Sequence, residues 1–213
     1  MLSKRLLEIA SLVDENKVVF DVGSDHGLLP CFLVSNNICP KAYAGDNKEG
    51  PLSRAKESIE RYGLEGKVIP VLSDGIGKIS DDVDIVVIAG MGFYTVKHIL
   101  ENKNLDKYEK IIVQVNKDCA ELRRFISDNG YTIVDERVVF DGFYYEIVVF
   151  NTKKHESYSE SEILYGPVLL KRKDQVFIDY LNSRKDKLKT IYLKSNNPKT
   201  LESINEIDKV LGL

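Results

Sequence analysis

Short apolar runs alternate with segments whose apolar residues recur at three- and four-residue intervals over the first 150 of 213 positions. The runs "VVFDV" (18–22), "AYAGD" (42–46), "KVIPVLSD" (67–74), "VDIVVIAG" (83–90) and "KIIVQVN" (110–116) are rich in β-branched residues and predict strands. Residues 28–35, 51–62, 94–100 and 118–129 lie between them and predict helices, as does the amphipathic N-terminal stretch "MLSKRLLEIASLVDEN". Near-continuous apolar strands separated by helices predict a parallel sheet covered on both faces. "TIVDERVVF" and "YYEIVVF" then follow with only "DGF" between them, where Asp141-Gly142 signals a hairpin.

The pattern changes after Asn151. "TKKHESYSESE" is polar and reads as a linker or loop. Residues 165–196 then read as one helical run, with Phe177, Leu181, Leu188 and Ile191 or Tyr192 at helical spacings. "NNP" breaks it, and a second helix places Leu201, Ile204, Ile207 and Leu211 on one stripe. Two such helices joined by a turn predict an antiparallel coiled-coil hairpin. The chain thus divides into an α/β domain, 1–151, and a C-terminal helical extension, 152–213. A mostly parallel sheet ending in an antiparallel hairpin is the usual form of a class I methyltransferase sheet. At fold level the first domain therefore resembles that Rossmann-like class.

Composition, 43% hydrophobic and 30% charged, suffices for one α/β core plus an appendage. The N-terminal helix is interrupted by Lys4, Arg5 and Glu8, so it lacks the apolar core of a signal peptide, and no stretch approaches a membrane span. Three cysteines without CxxC spacing suggest neither a disulfide framework nor a zinc site, and a reducing, cytoplasmic location is expected. With only His26, His98 and His155 in the chain, a metal-assisted reaction has little support. Charge is uneven. Residues 1–150 carry 18 Lys/Arg against 24 Asp/Glu, and residues 151–213 carry 12 against 9. A basic appendage suits nucleic acid, although charge alone favours a solvated helix face.

The chemistry concentrates where the first strand ends, in "DVGSDHGLLP" (21–30). A dinucleotide-binding turn wants G-x-G-x-x-G, but Asp25 and Leu28 occupy its second and third glycine positions, and a carboxylate there repels pyrophosphate. A P-loop needs Lys after its last glycine, and none follows Gly27. The turn suits a ligand that is cationic or zwitterionic. S-adenosylmethionine carries a sulfonium, an ammonium and a carboxylate, and no phosphate. Asp21 suits the ammonium, Gly23 permits close approach, and Gly27 opens a helix whose N-terminus favours the carboxylate. Alternatively, Asp21 caps that helix and the glycines only turn the chain.

The later strand ends extend the set. Asp46 ends the second strand, where an acid accepts from ribose hydroxyls. Asp74 ends the third, suited to an adenine amino group, with Ser73 and Gly75 offering backbone donors. "AGMG" (Ala89, Gly90, Met91, Gly92) ends the fourth and leaves a floor nearly free of side chains at its glycines. Ligands of open α/β sheets bind outside the carboxyl ends of the strands, where all four features fall.

At this point the sequence resembles the bacterial tRNA (adenine-22)-N1-methyltransferases. The matching stretches are "LSKRLLEIA", "DVGSDHGLLP", the acid and "GP" of "AGDNKEGP", "SDG", "IAGMG", "QVN", "LRRFI", "YYEI" and "GPVLLKRKDQVF", which together span essentially the whole chain. Two departures are Phe93, where a second glycine usually follows "AGMG", and Val115, where a proline often follows the glutamine. The resemblance implies methyl transfer from S-adenosylmethionine to N1 of an adenine in the D-arm of tRNA, with the extension helping to hold the tRNA. It adds Ser24 and Asn47 to the cofactor set Asp21, Gly23, Gly27, Asp46, Ser73, Asp74, Gly75, Ala89, Gly90, Met91 and Gly92.

Adenine N1 is an unprotonated nucleophile, so the reaction asks for alignment, exclusion of water and stabilisation of the cationic product. Asp25 matches the family's Asp in "SDH". It is either the carboxylate facing the adenine or a helix cap. For tRNA contact the candidates are Lys4 and Arg5 in "LSKRL", His26, and the extension's Arg184, Lys185, Lys187 and Lys189, which suit phosphates without reading sequence. The rival readings are a methyltransferase acting on a small molecule or protein, a nicotinamide oxidoreductase, and a non-catalytic binding module. Asp25 argues against the oxidoreductase, and intact Asp21, Gly23, Asp46 and Asp74 argue against the binding module.

Overall fold

Ser3 starts the first helix, its hydroxyl accepting the Leu6 N–H, and α1 (Lys4–Ser11) lays Ile9 and Ala10 into the core. The computed structural model describes residues 2–77, 79–101 and 103–213. The next elements are β1 (Val19–Val22), α2 (Leu28–Ser35), β2 (Ala42–Asp46), α3 (Glu49–Tyr62), β3 (Val68–Leu72), β4 (Ile85–Met91) and α4 (Phe93–Leu100). β5 (Lys110–Val115), α5 (Cys119–Asp128), β6 (Thr132–Asp141) and β7 (Phe143–Asn151) complete a seven-stranded sheet of order β3-β2-β1-β4-β5-β7-β6. The first five strands are parallel, and β7 runs antiparallel to both β5 and β6. The strand order reverses at β1, so a crevice opens between the carboxyl ends of β1 and β4.

The pleat sorts side chains to two apolar layers. Phe20 and Val22 of β1 join Val96 and Ile99 of α4 and Leu122 and Ile126 of α5 on one face. Val19 joins Ile9, Leu29, Leu33 and Ile59 of α1, α2 and α3 on the other. Both faces are thereby covered, as the apolar strand runs require.

The region after Asn151 departs from the expected linker and single long helix. Its elements are α6 (Glu160–Tyr165), α7 (Pro167–Arg172), α8 (Gln175–Ser195) and α9 (Pro198–Leu211). A capping box between Ser159 and Glu162 starts α6, Gly166 (φ 90°) ends it, Lys173 (φ 46°) ends α7, and the Asp174 carboxylate caps α8. The polar segment is tied down: Tyr158 is buried, and its hydroxyl accepts the Ile133 N–H at 2.7 Å. α8 and α9 form the expected helical hairpin. Tyr165, Leu169, Phe177, Leu181 and Ile207 join Val138 of β6 in a third apolar cluster, which seats the hairpin on the sheet edge.

A buried charge network reinforces that seat. Arg123 of α5, wholly inaccessible, donates to Glu136 of β6 and to Glu146 of β7, each at 2.6 Å. The second Glu136 oxygen accepts the Val168 N–H at the start of α7, and Glu146 accepts the Tyr180 hydroxyl of α8 (both 2.9 Å). Burial pushes the Glu136 carboxyl upward while Arg123 and the α7 amide pull it back. Any residue but glycine at position 166 would put its Cβ 2.5 Å from Glu136 Oε2, in a conformation L-residues rarely adopt.

Candidate active site

The crevice at the β1–β4 switch holds a cavity of about 340 Å³, within the size range of small-molecule sites. β1 supplies its first wall. Asp21 lies in the strand just behind it, with 6% of its surface exposed, and accepts the Ser24 hydroxyl at 2.6 Å. Among the described residues no cation pairs with it, and burial pushes its carboxyl up to about 7. The turn that follows is pinned by the Gly23 and Ser24 amides, which both donate to the Gly45 carbonyl of β2. Gly23 sits at φ 72°, and a Cβ there would collide with the Met91 methyl. Glycine is therefore required there, because the Met91 side chain fills the space a Cβ would take.

The sheet brings most of the expected residues together. Gly23, Asp25, Asp46 and Asn47 line the cavity from β1 and β2. Ser73, Asp74 and Gly75 line it from the end of β3, and Ala89, Gly90 and Met91 from β4. Asp46 accepts the Lys48 N–H at 3.0 Å, and the buried Ser73 hydroxyl donates to the Gly75 carbonyl at 2.9 Å, which holds that loop's shape. Ser24, Gly27 and Gly92 stand behind the wall with Asp21. Gly27 caps α2 and packs against Ala55 of α3, where a Cβ would meet the Ala55 methyl at 3.3 Å; Gly92 caps α4.

Thr95, His98 and Ile99 of α4 also line the cavity, as do Lys48 and Pro51 at the start of α3. Sequence reasoning missed them. The signal was present: α4 begins immediately after the glycine floor, so its first turns must border whatever the floor holds.

Asp25 does not cap α2. Gly27 occupies that position with no side-chain bond, and Asp25 (φ 41°) instead pairs with Arg54 of α3, the half-exposed His26 lying 3.7 Å away. Asp21 does not cap it either, because its carboxylate is turned to Ser24 inside the sheet. Arg5 reaches the site's floor: its guanidinium binds Gln114 Oε1, which also accepts the Gly90 N–H at 3.1 Å, and lies over the Tyr145 ring. Lys4 is exposed on α1. In the extension, Lys187 and Lys189 are exposed, whereas Arg184 lies over the Tyr165 ring. Lys185 corrects the expectation of a phosphate contact: it is buried between α8 and α9 and bound to Asp208 at 2.9 Å.

What the arrangement offers is a cavity rimmed by Asp25, Asp46 and Asp74, with a buried carboxylate behind a glycine turn and glycines for a floor. A family model described as tRNA (adenine(22)-N(1))-methyltransferase matches residues 19–212. The Bacillus subtilis tRNA (adenine(22)-N(1))-methyltransferase is 32% identical over 200 residues, covering 90% of this chain and 84% of its own length. A Streptococcus pneumoniae protein solved in complex with S-adenosyl-L-methionine superposes with a TM-score of 0.90 at 32% identity, over 99% of this chain and 100% of that one. Mycoplasma capricolum TrmK, solved with S-adenosyl-homocysteine, does so with a TM-score of 0.83 at 32% identity, over 100% and 97%. The chain belongs to the tRNA (adenine(22)-N(1))-methyltransferase family.

Proposed function

We propose that this protein methylates N1 of adenine 22 in tRNA, using S-adenosylmethionine as methyl donor. The observation that carries the reading is the convergence of the acids Asp46 and Asp74 on one cavity floored by Gly90, with the buried Asp21 just behind its wall, in a member of this family. The donor fits the residues present. Asp21 is a buried carboxylate that no cation among the described residues pairs with, suited to an ammonium, and the Gly23 turn lines the cavity in front of it. Asp46 would receive the ribose hydroxyls and Asp74 the adenine amino group, with Asn47, Ser73 and Gly75 completing that wall. When bound, the donor supplies an electrophilic methyl on a sulfonium.

The protein's part is then to hold, align and dehydrate. Adenine N1 needs no strong base, so alignment carries most of the catalysis. Asp25 lines the cavity, held by Arg54 with His26 nearby, and would stabilise positive charge on the methylated ring. The α/β unit, 1–151, would carry the reaction, and 152–213 would hold the tRNA through exposed cations such as Lys187 and Lys189, with Lys4 on α1 adding to that surface. No helix among the described residues is long and apolar enough to cross a membrane. The three free, buried cysteines support a reducing compartment, and we place the enzyme in the cytoplasm.

Incubation with labelled S-adenosylmethionine and bulk tRNA, followed by nucleoside analysis, tests the reading. Label in 1-methyladenosine is expected, and label in any other nucleoside, or none, would overturn it. Asp25→Ala should retain donor binding and lower turnover; equal turnover at saturating donor would remove Asp25 from the reaction.

A further inference from the structure

A second cavity, about 660 Å³, lies between the β6–β7 hairpin and α8. The hairpin contributes Phe140, Phe143 and Tyr144, and α8 contributes Tyr180, Arg184 and Lys187. The rings form a connected set: Phe140 and Tyr144 have centroids 4.9 Å apart, Tyr144 and Tyr180 5.6 Å, both pairs tilted. Tyr180 is anchored from behind by its hydroxyl on Glu146, so the set rests on the buried charge network. Phe143 is different. It stands at the hairpin tip beside Gly142 with 71% of its surface exposed, and Phe140 is 49% exposed. Single exposed apolar residues are ordinary, but a cluster of rings lining a concave surface is not.

Two further observations say what the cleft takes. No carboxylate lines it among the described residues, although the chain has 33 acidic residues and a net charge of −3. Cations beside aromatic faces, without acids, match a nucleotide in single-stranded form: phosphate on the cations and base on the rings. The cleft also adjoins the cofactor cavity. Asn116, at its inner end, donates its side-chain amide to the Gly90 carbonyl at 2.7 Å and its backbone N–H to Met91 at 2.8 Å. Gly90 and Met91 floor the neighbouring cavity.

We propose that this cleft is the seat of the target nucleotide. The extruded adenine stacks on Phe143 at the cleft's rim, its flanking phosphates rest on Arg184 and Lys187, and its reacting edge points past Asn116 toward Gly90. This assignment rests on the proposed function for the identity of the base. The hairpin and the helical extension thereby form two jaws of one clamp.

The test compares wild-type protein with Phe143→Ala, Phe143→Trp and Phe143→Leu. Removing one base-stacking ring typically weakens single-stranded binding by about tenfold. Phe143→Ala should therefore lower both kcat/KM for tRNA and affinity for a fluorescein-labelled oligoadenylate, read by anisotropy, by about that factor. Phe143→Trp should restore both, Phe143→Leu neither, and calorimetric affinity for S-adenosylmethionine should stay unchanged in all three. Wild-type oligoadenylate affinity in Phe143→Ala would overturn the stacking site, whatever the methylation result. Full rescue by Phe143→Leu would also overturn it, because apolar bulk without a ring would then suffice. Absence of 1-methyladenosine with the wild-type protein would sink the proposed function instead, leaving the oligoadenylate comparison to decide the cleft.

Discussion

Asp21 and Glu136 are both buried carboxylates on strands of one sheet, and the chain treats them in opposite ways. Glu136, at the sheet's edge, is surrounded by donors from its own chain: Arg123, and the Val168 N–H of α7. Asp21, at the centre, receives one hydroxyl and, among the described residues, no cation, and its carboxyl is pushed up to about 7. The difference separates fold from function. A buried charge that the chain satisfies itself holds elements together, and removing its partner is costly. A buried charge left unsatisfied destabilises the empty protein and reserves its attraction for a ligand.

Breaking the satisfied side should give the largest effect. Arg123→Ala leaves two carboxylates facing a dry pocket and should cost about 3–5 kcal/mol, measured as a lowered urea midpoint. An unmoved midpoint would mean that the network contributes nothing to the seating of α7 and α8.

The unsatisfied side should respond with opposite sign in the empty protein. Asp21→Asn should weaken S-adenosylmethionine binding by more than about tenfold, or ~1.4 kcal/mol, yet raise ligand-free stability at pH 8. Calorimetry and thermal unfolding on the same sample read both. Loss of affinity together with loss of stability would make Asp21 a structural residue like Glu136.

The pH dependence sharpens the same contrast. The Asp21 carboxyl titrates near 7 when folded and near 3.8 when unfolded, so the folded state holds the extra proton between those values. Its contribution to stability is greatest below 3.8, falls as pH rises through the window, and is fully lost above about 7. Binding a cationic ligand expels that proton, so affinity should rise from pH 5 to 7 by at most about tenfold per unit. The profile should be flatter in Asp21→Asn. Smallest of all, Lys185→Met should cost ~1 kcal/mol or less in the urea midpoint, because Asp208 keeps a third of its side chain in water.

The same contrast explains what the sequence made legible. Each of β1 to β7 overlaps the run that predicted it; in β1, β2, β4 and β5 two-sided burial writes near-continuous apolar segments into the sequence. The acids at 46 and 74 were readable because a strand's end is a fixed place and a carboxylate there is conspicuous. Arg123, Glu136 and Glu146 were not. Their partners come from distant elements, and a charged residue on an amphipathic pattern looks solvated until the fold covers it. The stretch 165–196 misled differently, since α7 and α8 share one apolar rhythm and are separated by the turn at Lys173 and the Asp174 cap. Lys185 was legible and misread: it follows Phe177 and Leu181 at four-residue steps, on the buried stripe itself.

Gly166 and the network behind it bear on how the chain folds as it leaves the ribosome. When Asn151 has been synthesised, every strand of the sheet exists, yet Glu136 still lacks its amide from α7 and Glu146 its hydroxyl from Tyr180. The last hairpin therefore carries half-met charges until residue 180 has emerged. Nascent chains held just short of that point should protect the β1–β5 amides from exchange well before those of β6, so the sheet is finished from the far end of the polypeptide.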